Sequence, residues 1–206
     1  MLALVGLAAV GGLMILVLQG DGIQRIPGLA GEVFAEPSSV AAGPIQQKAE
    51  APFDREQKAV TEFIAKRYRV SETAVATYVS TAYRVGAEYS VDPLLILAVM
   101  AIESRYNPVA ESIVGAKGLM QVIPKYHLEK LTDHGGEHAL LEPEVNILVG
   151  TQILREYQRR FRDTETALQA YAGAFDEPTS QYANKVFAER ARLEILRRQA
   201  KRQQSA

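Results

Sequence analysis

The chain is expected to fold as an all-α domain. Apolar residues from about Phe53 onward recur at three- and four-residue spacing, the signature of helices with one buried face. The breaks between them are helix start and stop signals, and alternating strand patterns are nearly absent. There is no internal repeat.

Before the helical part come two segments of different character. Met1–Leu18 reads "MLALVGLAAVGGLMILVL", eighteen residues without a charge. As a helix it would span about 27 Å, close to the thickness of a bilayer core. It lacks the basic start of a secretory signal and is longer than a typical signal core, which favours an uncleaved membrane anchor. "VFA" at Val33–Ala35 is an imperfect cleavage candidate, so a cleaved signal remains the alternative. Residues 1–19 are therefore read as anchor or signal. Residues 20–52, rich in Gly, Pro, Ala and Ser, are read as a flexible linker.

The helices follow in order. "REQKAVTEFIAKRY" places Val60, Phe63, Ile64 and Tyr68 on one face. Ser71 is the expected cap of a second helix, in which Ala74, Val75, Tyr78, Ala82 and Val85 share a face. Asp92-Pro93 is a strong start, Asp as N-cap and Pro at the first helical position. The "LLILAVMAIES" that follows is apolar all round, which predicts a helix buried on every side. Pro143 opens a helix with Ile147, Gly150, Leu154, Tyr157 and Phe161 on its stripe. Another is expected from Thr164 toward Phe175, and a last from Tyr182 to about Gln199. Turns are expected at Asn107-Pro108, Gly115–Gly118, Gly135-Gly136 and Glu177-Pro178. Residues 53–188 thus form the domain, and 189–206 a basic C-terminal helix or tail.

Composition narrows the functions available. Twenty-three basic and twenty-four acidic side chains give a net charge of −1, which offers nothing to nucleic acid. With no cysteine there is neither a disulfide framework nor a thiolate metal site. His134 and His138 stand four apart, but Gly135-Gly136 between them argues against a helix presenting both, and no H-E-x-x-H is present. No metal or other cofactor is expected. The tail from Glu189 to Arg202 holds six basic residues against two acidic, read as a solvated helix face.

Glu103 is the residue that asks for a role. Nothing from Pro93 to Ile102 carries charge, and then a carboxylate ends the apolar helix. Desolvation and the negative end of the helix dipole both disfavour its charged form, so both raise its pKa. A carboxyl group that keeps its proton near neutrality suits general acid catalysis. The ordinary alternative is an ion pair with Arg105 or another base. Further on, "GAKGLMQVIP" from Gly115 to Pro124 offers glycines that allow close backbone approach, to a neighbour or a ligand. Beside them stand an adaptable Met120 and the amide of Gln121.

"ESRYNP" at Glu103–Pro108, followed by the Ser112–Gln121 run ending "GAKGLMQ", resembles the lytic transglycosylase catalytic domain of the lysozyme-like superfamily. "EPEVNILVG" at Glu142–Gly150, "ALQAY" at Ala167–Tyr171 and "YANKV" at Tyr182–Val186 match in order, so the likeness covers roughly Val85 to Val186. It implies a lysozyme-like fold and cleavage of the β-1,4 bond between N-acetylmuramic acid and N-acetylglucosamine in peptidoglycan, leaving 1,6-anhydromuramic ends. Glu103 would be the one acid and base. Ser104 would orient that carboxylate or the sugar acetamide, Met120 and Gln121 would line the groove, and Tyr171 would stand near Glu103 across it. A core aromatic is the plain reading of Tyr171.

The implied partners are peptidoglycan strands, the inner membrane through residues 1–18, and an envelope-spanning assembly as a further candidate. The implied location is the bacterial inner membrane, with the domain in the periplasm, or the periplasm itself if the N-terminal segment is cleaved. Where the family usually reads "AYNAG", this chain reads "AYAGA", with Ala172 in place of Asn. Two rivals remain open: a lysozyme-type hydrolase using a second carboxylate such as Asp163 or Asp176, and a non-catalytic glycan-binding scaffold.

Overall fold

The computed structural model describes residues 55–204. The expected anchor and linker, residues 1–19 and 20–52, lie outside the described residues. Among the described residues, seven α-helices run in the order α1 (Arg55–Tyr68), α2 (Glu72–Tyr89), α3 (Pro93–Glu103), α4 (Leu128–Leu131), α5 (Pro143–Phe161), α6 (Thr164–Tyr171) and α7 (Gln181–Gln204). Short 3-10 turns at Pro124–Tyr126, Thr132–His134 and Glu137–Leu141 fill the connection between α3 and α5. No strand occurs among the described residues, only isolated antiparallel bridges at Glu111–Lys117 and Lys117–Val122. None of the described helices is long and apolar enough to cross a membrane.

The centre of the fold is α3. Asp92 caps it by accepting a 3.1 Å bond from the Leu94 N–H, and Pro93 supplies the first helical residue. Every residue from Leu94 to Ala101 is buried, as an apolar surface on all sides requires. Helices α2 and α7 pack directly on α3, and α1 packs on α2 and α7. Fully burying each Leu, Ile or Met contributes about 1.5–3 kcal/mol, so α3 alone supplies a large share of the core.

Three expectations about helix ends need correction. Ser71 occupies the cap position of α2, but its side chain makes no capping bond. Helix α6 stops at Tyr171 rather than near Phe175. Gly173 takes φ +66°, and the Ala174 N–H turns back to the Gln169 carbonyl at 2.8 Å, a left-handed termination that glycine adopts without steric cost. Helix α7 runs unbroken across residue 188 to Gln204.

The basic end of α7 is also less solvated than its composition implies. Glu189, Leu193 and Ala200 are buried. Arg190 and Arg197 reach Asp92, the cap of α3, while Arg197 and Arg198 pair with Glu194. Arg67 and Arg192 flank Glu189. Arg67 fastens α7 to α1, and Arg190 and Arg197 fasten it to the start of α3.

Candidate active site

A groove of about 470 Å³ opens beside the C-terminal end of α3. Glu103 sits in its wall at the last turn of the helix. The other walls come from the Ser112–Ile123 segment, from Ile153 and Tyr157 of α5, from Ala170–Gly173 at the end of α6, and from Tyr182 of α7. Among the residues lining it, Glu103 is the only carboxylate.

The Glu103 carboxylate accepts a 2.6 Å hydrogen bond from the Tyr182 hydroxyl. Burial pushes its pKa up to about 7, while the bond from Tyr182 pulls the other way by favouring the charged form. Arg105 does not pair with it. Its guanidinium lies 5.8 Å from the Tyr68 ring centroid, away from the groove. The ion-pair reading of Glu103 thus fails on geometry, and what remains is a partly buried acid that is half protonated near neutrality.

The turn after Glu103 explains how the helix can stop there. Arg105 and Tyr106 both take left-handed backbone, φ +53° and +64°, uncommon for residues with side chains. Tyr106 holds the turn: it is fully buried and its hydroxyl donates to the Leu97 carbonyl at 2.9 Å.

The Gly118–Met120 stretch is clamped by Asn146 of α5, a residue that the reading of the sequence did not single out. Asn146 is fully buried. Its Oδ1 accepts from the Met120 N–H at 2.7 Å, and its Nδ2 donates to the Lys117 and Leu140 carbonyls at 2.8 Å each. A Cβ on Gly118 would stand 2.3 Å from both Asn146 Nδ2 and the Leu140 carbonyl. The close approach that Gly118 permits is therefore to a neighbour, not to a ligand.

The expected site residues divide. Gln121 lines the groove, its Nε2 donating to the Ala110 and Gly118 carbonyls at 3.0 Å. Tyr171 also lines it, and its hydroxyl donates to the Met120 carbonyl at 2.8 Å, tying α6 to the clamped loop. Met120 does not reach the groove. Its side chain is fully buried against Gly150, where a Cβ would lie 2.6 Å from the sulfur. Ser104 is likewise turned inward, its hydroxyl donating to the Met100 carbonyl at 3.2 Å. Ala172, in the position of the family Asn, is exposed on the groove wall and offers no polar group.

Tyr182 was visible in the sequence as part of "YANKV", but its pairing with Glu103 spans 79 positions and leaves no local signal. Gln169 sets its place. This buried amide accepts from the Ala183 N–H and donates to the Ala174 carbonyl, each at 3.0 Å, so it holds the start of α7. His127 lines the groove, its pKa lowered by burial and by nearby Lys130. Among the described residues no group of three or more His, Cys, Asp or Glu side chains is placed to hold a metal ion.

The model of the transglycosylase SLT domain matches residues 80–191, more than half of the chain, and that span contains Glu103, Gln121, Asn146, Tyr171 and Tyr182. The chain belongs to the transglycosylase SLT domain family. A transglycosylase of Enterobacteria phage PRD1 is 37% identical over 105 residues, covering 48% of this chain and 38% of the phage protein. A soluble lytic murein transglycosylase of Salmonella typhimurium is 41% identical over 70 residues, which are 32% of this chain and 11% of that one. Membrane-bound lytic murein transglycosylase C of Sodalis glossinidius is 34% identical over 110 residues, 50% of this chain and 28% of that one. The chain therefore spans well under half of each of these relatives. The solved structure of an inactive mutant of lytic transglycosylase Slt from Pseudomonas aeruginosa superposes with a TM-score of 0.50 at 22% identity, over 55% of this chain and 23% of that one. That likeness is one of fold alone.

Proposed function

We propose that this SLT domain is a peptidoglycan lytic transglycosylase in which Glu103 acts first as acid and then as base. The observation that carries the reading is a single partly buried carboxyl group in a groove that no second one lines among the described residues. Glycosidases that use water or a covalent intermediate need two carboxylates, about 5–5.5 Å or 6.5–9.5 Å apart. Asp163 is engaged elsewhere, capping α6 through the Thr166 N–H at 2.7 Å. Asp176 is exposed and lies outside the groove lining.

In the proposed reaction, protonated Glu103 gives its proton to the glycosidic oxygen as the bond from the muramic anomeric carbon breaks. The carboxylate left behind then takes the proton of the muramic C6 hydroxyl, whose oxygen closes onto that carbon as a 1,6-anhydro ring. The lent proton leaves on the 4-hydroxyl of the N-acetylglucosamine, the C6 hydroxyl proton restores the acid, and no water is consumed. An internal hydroxyl held in place substitutes for a bound water through proximity. The names of the relatives, murein transglycosylases both soluble and membrane-bound, support the wall as substrate and the envelope as location. The uncharged Met1–Leu18 segment supports membrane anchoring with the domain in the periplasm.

Digestion of purified sacculi followed by mass measurement of the muropeptides tests this. The expected products are lighter by one water than hydrolysis products and give little signal in reducing-end assays. Free reducing ends as the main product would overturn the proposal in favour of a hydrolase, and binding without new ends would leave a scaffold.

Tyr182→Phe offers a second check on the acid. Removing a donor that favours the carboxylate should move the Glu103 pKa further above its present value. The alkaline limb of the rate profile, which reports the protonated acid, should shift to higher pH. A profile unchanged from the parent would mean that the hydroxyl does not tune Glu103.

A further inference from the structure

Four of the nine tyrosines line the groove, and they are of two kinds. Tyr171 and Tyr182 spend their hydroxyls inside the protein, on the Met120 carbonyl and on Glu103. Tyr126 and Tyr157 make no hydrogen bond through theirs among the described residues. Tyr157 is half-buried and packs its ring against Phe161 and Tyr171. Tyr126 packs on no other ring. It is 64% exposed, with the Lys125 ammonium 4.7 Å from its ring centroid. Seven large apolar side chains are exposed among the described residues, and only Tyr126 and Val114, the latter 62% exposed, line the groove. Scattered on an outer surface such groups need no explanation, but inside a groove they are area for a ligand to cover.

The backbone under Tyr126 is held. It closes the 3-10 turn that the buried Pro124 opens, its N–H donating to the Ile123 carbonyl at 3.2 Å. The turn that follows is tied to α5 by Lys130, whose ammonium lies 2.8 Å from Glu156, the residue before Tyr157. A platform fixed in this way loses little freedom when a ligand covers it. The lining also selects the ligand. It contains no lysine or arginine, and its one carboxylate is Glu103, so an anion finds no cation to pair with. Gln121 and His127 supply neutral polar groups, the imidazole kept uncharged near neutrality by burial and by Lys130. A ligand matched to this wall is uncharged, with a flat apolar face and a polar edge, which describes a pyranose ring.

We infer that Tyr126 is a sugar-stacking residue, whose exposed ring receives the apolar face of an N-acetylglucosamine unit of the glycan. The C–H groups on that face carry slight positive charge and the aromatic face slight negative charge, so the two attract as well as exclude water. Of the two sugars of the wall, N-acetylglucosamine is the one without a peptide-bearing acidic arm, for which this lining has no cation. The inference rests on the glycan substrate proposed above but not on the role of Glu103. Tyr126 is a positioning residue: it holds the strand and gives nothing to the bond that breaks.

The chain contains no tryptophan, so Tyr126→Trp provides a single fluorescent reporter at the site. Binding is measured on the full chain carrying Glu103→Gln, which leaves the saccharide uncut, in a zwitterionic detergent without sugar headgroups. The probe is the β-1,4-linked tetramer of N-acetylglucosamine. It is expected to shift the emission of the Tyr126→Trp protein saturably to shorter wavelength as water leaves the ring. By calorimetry, Tyr126→Phe should bind within about twofold of the parent and Tyr126→Ala about tenfold more weakly. Leu128→Ala, an exposed neighbour that does not line the groove, should bind like the parent. With Glu103 restored, Tyr126→Ala should raise KM for soluble glycan strands about tenfold and leave kcat within about twofold. An emission that does not move, parental affinity in folded Tyr126→Ala, an equal loss in Leu128→Ala, or a defect confined to kcat would each overturn the inference. Saturable binding without cleavage by the restored enzyme would instead overturn the transglycosylase reading and leave this one standing.

Discussion

Replacing Glu103 with Gln should abolish cleavage of wall glycan while making the protein more stable at neutral and alkaline pH. The loss follows from chemistry: the amide keeps the shape and can still accept from Tyr182, but it has no proton to lend. Removing a general acid costs about 10²–10⁴-fold or more. The gain follows from linkage. The carboxyl group titrates at an ordinary 4.5 when unfolded and at about 7 in the fold. The unfolded chain therefore sheds the proton first as pH rises. Stability contributed by this group is fully present below 4.5 and is lost as pH climbs through 7. An amide never carries that charge, so the advantage of Glu103→Gln grows across the same window and levels off above it at roughly 3 kcal/mol. Urea denaturation of parent and variant at about pH 4 and about pH 8 reads the difference. Equal midpoints at the higher pH would show that Glu103 is not the raised acid described here, and substantial cleavage by folded Glu103→Gln would remove it from the mechanism.

The second large effect is expected at Asn146, which touches no solvent and lines no groove. Asn146→Ala leaves the buried Met120 N–H without its acceptor and the buried Leu140 carbonyl without its Asn146 donor, and leaves the Lys117 carbonyl with the Val122 N–H alone. Stranding that many backbone groups should cost about 3–5 kcal/mol. The loop it releases carries Gln121 and the carbonyl that Tyr171 bonds, so residual folded protein should also cleave poorly. Asn184→Ala is the control. Its side chain makes one bond from an exposed position, to the Thr179 carbonyl at 3.0 Å, and its loss should stay within about 0.5 kcal/mol. Equal thermal midpoints for the two variants would contradict the clamp.

What the sequence made legible was the local part of the structure. The start of α3 was readable because Asp92 and Pro93 act within one turn, and its burial because an all-apolar helix has nowhere else to go. Glu103 stood out for the same reason, a charge at the end of an uncharged run. The partner of that charge was not readable. Tyr182 reaches Glu103 from α7, and no spacing rule connects the two. Met120 and Ser104 show the limit of motif reading in the other direction. Both stand beside residues that face the groove, yet Gly150 opens a berth that draws Met120 inward, and Ser104 spends its hydroxyl on the helix it ends. The tail of α7 was legible in part: Arg192, Arg198, Lys201 and Arg202 are exposed as a solvated face should be, but charge counts do not reveal that Arg190 and Arg197 reach Asp92 across the interface.

The bond between the Tyr171 hydroxyl and the Met120 carbonyl joins segments 51 residues apart. The Tyr182 bond to Glu103 joins segments 79 apart. The hydrogen bonds inside a helix close over four residues, whereas these two closures bring distant segments together at an entropic cost. Helical content and catalytic competence are therefore different properties of this chain. Far-ultraviolet ellipticity reports the first and not the second: what makes Glu103 an acid catalyst is its burial beside Tyr182, and a carboxylate left in water would titrate in the ordinary range.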